Sequence, residues 1–131
     1  QNPGDTLRYP VRAWKLEVPP ELLAERIARR AEAMLDAGWI DEARAAIAAG
    51  LLDTPTAHQA IGYRLIAEHL AGALTRSELL ERIITVTRQF ARRQRTWFRH
   101  QHPEARSLPC PDGTTPSWER LTESPENPPL R

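Results

Sequence analysis

The segment Thr75–His100, TRSELLERIITVTRQFARRQRTWFRH, decides how this chain folds. Thr75 followed three residues later by Glu78 is a capping-box signature, so a helix is predicted from about Arg76 to His100. At 1.5 Å per residue that helix spans about 36 Å. Leu79, Ile83, Val86/Thr87, Phe90 and Trp97 fall on one side as an apolar seam for packing against other helices. Arg88, Arg92, Arg95 and Arg99, spaced four, three and four apart, fall on one face. Residues 88–99 carry five arginines and no acid. Like charges four residues apart on a helix repel, so an anion is expected along that face. Planar guanidinium groups with Phe90, Trp97 and Phe98 close in sequence suit phosphates and unstacked bases. The alternative is that these arginines pair with acids such as Glu25, Glu32 and Glu42.

Working outward, three more helices precede this one. Pro19-Pro20 opens the first, because proline in the first turn loses no needed donor. Leu23, Ile27, Arg30/Ala31 and Met34 carry its period over about 20–37, and Gly38 stops it. Ile40–Ala49 reads as a second helix ending at Gly50, with Asp41 and Glu42 in its first turn, where they suit the helix dipole. Thr56–Leu70 reads as a third, interrupted by Gly62. Val11–Val18 alternates well enough for one strand, with a phase slip at Trp14–Lys15, and no second strand is convincing. An orphan strand leaves backbone groups unpaired, so its partners are expected outside the chain. Residues 1–10 read as loop, and the opening QNPGD reads as the middle of one, which points to a piece of a longer polypeptide. From Ser107 the composition changes, with six prolines in the last 25 residues. Residues 107–131 therefore read as an extended or disordered tail, with Trp118 as the natural anchor. The predicted class is mainly α: four helices plus one strand, with a body over 1–106.

Charge and composition narrow the function. The net charge is +1 over 131 residues, so the positive charge is local, a site rather than a generally basic surface. All but one of the 18 basic residues are arginine, Lys15 being the exception, as a GC-rich genome would give. The single cysteine, Cys110, rules out an internal disulfide and fits a reducing cytosol. No apolar run is long enough for a membrane span. No pair matches a zinc-ligand spacing, so no metal site is predicted. Phosphate-loop, dinucleotide and serine-hydrolase motifs are absent as well.

Two further constellations stand out. In Gln59–Arg64 (QAIGYR), a glycine within a helix permits close approach of ligand or protein backbone, the long fourth helix being the protein candidate. Arg26 and Arg30 share a face beside Leu23 and Ile27, with Arg29 adjacent. That is an ordinary surface arrangement, or a diphosphate clamp if it faces inward.

Taken in order, RIARRAEAML-AG, QAIGYR and TRQFARRQRTWFR resemble the C-terminal portion of the tRNA dimethylallyltransferases (tRNA isopentenyltransferases), from about Tyr9 to Arg99. The family pattern T-R-x-x-A-K-R-Q-x-T-W-[FL]-R is met with one change, Arg92 for lysine, which trades a compact ammonium for a fork. The resemblance implies an α/β P-loop-type prenyltransferase whose sheet lies mostly outside this chain. It implies transfer of a dimethylallyl group from dimethylallyl diphosphate to N6 of the adenosine 3′-adjacent to the anticodon in tRNA. The base would be extruded to be reached, and Mg²⁺ would assist the leaving group. It also implies that the P-loop and an aspartate general base lie in an N-terminal half absent here, so that this chain alone is inactive. Carried over by position, Gln59, Ala60, Ile61, Gly62, Tyr63 and Arg64 resemble one tRNA-contacting segment. Arg92, Arg93, Gln94, Arg95, Thr96, Trp97, Phe98 and Arg99 resemble another, with Arg88 a possible addition, and Arg30 takes the place of an arginine facing the diphosphate. The expected setting is a cytoplasmic, bacterial, monomeric enzyme whose partners are the tRNA anticodon stem-loop and dimethylallyl diphosphate. Rival readings are a freestanding helical RNA-binding module, a structural helical domain, and a prenyltransferase of free adenine nucleotides; the TWFR ending weighs against the last.

Overall fold

A computed structural model describes residues 13–54 and 60–117. The fold is mainly helical, with four helices and a two-stranded sheet. In chain order these are β1 (Trp14–Glu17), α1 (Pro20–Asp36), α2 (Trp39–Ala48), a 3-10 turn at Leu51–Asp53, α3 (Tyr63–Leu70), α4 (Arg76–Gln101) and β2 (Arg106–Pro109). The chain divides into two compact units, residues 24–93 and residues 1–23 with 94–131.

The 24–93 unit is built on helix periodicity. Ala31 and Leu35 of α1, Ala43 of α2, Ile66 of α3, and Leu79 and Ile83 of α4 form its buried core. Full burial of a leucine or isoleucine side chain contributes about 1.5–3 kcal/mol. Leu79 and Ile66 are wholly excluded from solvent, so they anchor α4 and α3 respectively. Gly38 ends α1 and begins α2: its φ of +97° is the left-handed conformation that only glycine adopts at little cost. Exposed ion pairs join Arg76 to Asp36 and Arg82 to Glu68.

The capping box forms as predicted. Thr75 N–H donates to Glu78 Oε2 at 2.8 Å, and Glu78 N–H donates to Thr75 Oγ1 at 3.2 Å. Thr75 Oγ1–H also donates to Glu78 Oε2 at 2.8 Å, and the two bonds to the carboxylate, the backbone one first, hold it below the usual carboxylate range. A group with a depressed folded pKa contributes stability that is present above its unfolded pKa and lost as pH falls through the folded value. Glu78→Gln is therefore expected to flatten the loss of stability on acidification below about pH 5. Urea midpoints across that range test this; parallel wild-type and variant curves would show that the cap carries no charge-linked stability.

Three predictions need correction. The third helix does not begin at Thr56. Residues 56–59 lie outside those described, residues 60–62 form a turn, and α3 starts at Tyr63. Gly62 has φ +104°, which no α-helical residue can hold, so it caps α3 rather than interrupting it. Gly62 also does not serve close packing of α4. A Cβ built there would lie 2.3 Å from Trp39 Cη2, so the glycine makes room for the indole at the start of α2.

The third correction concerns the strand. β1 has a partner within the chain: β2 pairs with it in parallel, Leu16 opposite Leu108. Arg106 N–H donates to Ala13 O at 3.0 Å and Cys110 N–H to Glu17 O at 2.8 Å. Even-numbered residues of β2 thus turn their donors toward β1, and Pro109, which has none, faces the other way. Residues 107–110 consequently belong to a strand and its end, not to a tail. Cys110 is a buried free thiol. Val11 and Arg12 of the predicted strand, the loop before them, and the tail from Trp118 onward lie outside the described residues. No described helix is long and apolar enough to cross a membrane.

Candidate nucleic-acid interface

The α4 arginines are the first element. The helix runs continuously through Arg88, Arg92, Arg95 and Arg99, and all four are exposed, as is Arg93. Their lack of partners is informative because other arginines have them. Arg29 pairs with Glu25, Arg44 with Asp41, Arg76 with Asp36 and Arg82 with Glu68. Among the described residues no acid faces Arg88, Arg92, Arg93, Arg95 or Arg99. The acids considered as partners are not used that way. Glu25 serves Arg29, Glu42 accepts from Tyr63 Oη, and Glu32 stays exposed. The face is an uncompensated row of fixed charge, with Gln94 and Thr96 exposed beside it.

The aromatics occupy another side. At about 100° per residue, Phe90 and Trp97 lie nearly opposite the arginine row, on the seam of Leu79 and Ile83. The predicted apolar seam is therefore buried only in its first half: Phe90 and Trp97 are 41% and 52% exposed. Trp97 instead joins a ring cluster in the second unit. Its centroid is 4.9 Å from Phe98 and 5.4 Å from His102, and Phe98 is 6.0 Å from His102. His102 Nδ1 lies 3.1 Å from Glu104 Oε1. Sequence reasoning weighed His102 only as a metal ligand. Its spacing of four from Phe98 at a helix end was the signal that it joins the rings.

The second element is the turn into α3. Ala60 and Arg64 are exposed, Ile61 and Tyr63 half-buried and Gly62 buried, while Gln59 lies outside the described residues. Trp39 and Tyr63 meet edge to face at 6.2 Å, and Tyr63 Oη donates to Glu42 Oε1 at 3.2 Å. Trp39 was not singled out in the sequence, although a tryptophan directly after a stop glycine was a cue. The third element, Arg30 on α1, is exposed. No ion pair, hydrogen bond or ring contact links Arg30 to the Tyr63 turn or to the α4 arginines among the described residues. No three metal-ligating side chains converge among the described residues.

The chain thus presents a helix with one uncompensated arginine face and a glycine-capped turn carrying tyrosine and arginine. Comparison with known proteins gives it a family. The IPP transferase family model matches residues 1–101. The chain is 47% identical over 96 residues to the tRNA dimethylallyltransferase of Corynebacterium jeikeium, covering 73% of this chain and 31% of that protein. It is 45% identical over 107 residues to that of Thermobifida fusca, covering 82% and 33%. The crystal structure of the full-length tRNA isopentenylpyrophosphate transferase of Bacillus halodurans superposes with TM-score 0.74 at 29% identity, over 87% of this chain and 36% of that one. The chain thus belongs to the IPP transferase family, and it spans about a third of the length of the curated relatives it matches.

Proposed function

We propose that this chain is the tRNA-holding portion of an enzyme that moves a dimethylallyl group from dimethylallyl diphosphate to N6 of the adenosine 3′-adjacent to the anticodon. In that reaction the bond from the prenyl C1 to the diphosphate oxygen breaks and a bond from N6 to C1 forms. N6 gives up a proton, and diphosphate leaves. The observation that carries the reading is the unpaired arginine row of α4 within the motif ARRQRTWFR of a family member. Relatives at 47% and 45% identity bear the name of this activity. The arginine row would hold anticodon-loop phosphates, with no geometric cost of breaking ion pairs first. Residues 60–64 would add a second contact, and together these segments would wall the substrate channel.

The base that accepts the N6 proton, the P-loop and the Mg²⁺ ligands belong, in this reading, to residues outside the chain. Mg²⁺ supplies charge stabilisation to the departing diphosphate when bound. Arg30 would add a cationic donor to the same leaving group. In the full-length enzyme, Arg30→Ala is expected to lower kcat with dimethylallyl diphosphate about 10- to 100-fold and leave the tRNA Kd unchanged. Steady-state kinetics with both substrates varied test this; a raised tRNA KM alone would remove Arg30 from the diphosphate site. The enzyme is read as cytoplasmic and monomeric.

One observation keeps a second reading in play. β1 finds a strand partner, β2, among the described residues, so the sheet seen here does not itself require strands from outside the chain. The two readings separate in one assay. Nucleoside mass spectrometry of tRNA incubated with the full-length protein and dimethylallyl diphosphate shows N6-dimethylallyladenosine under the first and unmodified adenosine under the second.

A further inference from the structure

The turn before α3 encloses more than a contact segment. Met34 and Ala37 at the end of α1, Trp39 and Glu42 at the start of α2, and Ile61 and Tyr63 line an open cleft of about 390 Å³. We infer that this cleft is a nucleobase pocket, which takes one unstacked, amino-bearing base of the bound RNA, with Glu42 as its reading group. The inference rests on the RNA-binding function proposed above and names a subsite within it.

Four features converge on it. The walls are two aromatic rings held at a fixed edge-to-face angle, with Met34, Ala37 and Ile61 completing an apolar slot. Such walls take the faces of an unstacked base whatever its identity. One of those rings keeps its place because Gly62 has no side chain: a Cβ there would overlap the Trp39 ring. Among the described residues, Glu42 is the one carboxylate on the lining, and Tyr63 Oη donates to its Oε1. A carboxylate has about four acceptor positions and no donor, so Oε2 remains able to accept. The exocyclic amino groups of cytosine, adenine and guanine can donate to it. Uracil has no amino group, and its one base donor at this edge, N3–H, is flanked by two carbonyl oxygens that a carboxylate would repel. Finally, Arg64 follows Tyr63 directly, is exposed, and has no ion-pair partner among the described residues. It supplies a cation for the phosphate that a base in the slot would carry. An acidic group inside an RNA-binding surface is otherwise unfavourable, since it repels the phosphates that the arginines attract.

The test uses the full 131-residue chain and four probes, the 5′-monophosphates of cytidine, adenosine, guanosine and uridine. The indole N–H resonance of Trp39 is assigned by its loss in Trp39→Phe. It is expected to shift on titration with the three amino-bearing nucleotides, with affinity at least about fivefold above that for the uridine nucleotide. Glu42→Gln, which can present a donor or an acceptor, is expected to abolish that preference while the thermal midpoint stays within a few degrees of wild type. Two results overturn the pocket. One is an unmoved Trp39 resonance with all four probes while the chain still retains anticodon stem-loop RNA on a filter. The other is equal affinity for all four in wild type. Failure to bind the stem-loop at all would instead overturn the RNA-binding reading itself.

Discussion

Replacing Arg95 and Arg99 together with alanine is expected to weaken anticodon stem-loop binding by about tenfold or more at physiological salt, and to lessen the dependence on salt. The reasoning starts from pairing. An arginine engaged by an acid must leave it before it can bind a phosphate, and its loss leaves that acid uncompensated. Arg95 and Arg99 have no such partner among the described residues and both are exposed, so their whole charge is available to a ligand. Each phosphate neutralised releases about 0.7 counterion from a single strand. Losing two contacts should therefore reduce the slope of log K against log salt by about 1.4. Arg82→Ala is the matched control, because Arg82 lies on the same helix with Glu68 3.0 Å away. It should leave the slope unchanged. Filter-binding titrations from low to high salt give both quantities. Equal slopes for the double variant and wild type would remove this end of α4 from the interface.

The second large effect concerns stability. Gly62→Ala is expected to destabilise the fold by about 2–4 kcal/mol. Part of this is conformational, because an L-residue at φ +104° is strained. The rest is steric, because the new methyl would sit 2.3 Å from Trp39 Cη2 and the ring would have to move. Gly38→Ala separates the two terms. Gly38 has nearly the same φ, +97°, but a Cβ there meets nothing within 4 Å. It should cost only the strain, about 1–2 kcal/mol. Urea midpoints for the two variants decide the matter. Equal losses would mean that Trp39 yields freely and that the close approach has no energetic weight.

The helices were legible because their signals are local. Proline at 20, glycine at 38 and the Thr75–Glu78 box mark ends by geometry that a few residues determine. β2 was not legible because Arg106–Pro109 has one large apolar residue and a proline. Only its pairing with β1, 92 positions away in the register Trp14 to Arg106, makes it a strand. The start of α3 was misplaced for a related reason. Periodicity alone does not reveal that Gly62 takes a positive φ or that the Trp39 ring lies against it. For the interface, spacing put the four arginines of α4 on one face, but their freedom from acids is a tertiary fact. Angular position did contain the separation of Trp97 from that face. Adjacency in sequence suggested the opposite and misled, because residues next to each other on a helix point about 100° apart. Trp39 escaped notice, and Glu42 was weighed only as a first-turn acid and ion-pair partner, because the pocket joins two segments some twenty residues apart.

The most direct test of the central claim is a mapped photocrosslink. A tRNA carrying 4-thiouridine in its anticodon loop is bound to the chain, irradiated and digested, and the attached peptides are sequenced by mass spectrometry. The arginine face and the α3 turn predict crosslinks within residues 88–99 and 60–64. Crosslinks confined to other segments, with both of these clean, would contradict the assignment of α4 as the surface that holds the anticodon loop.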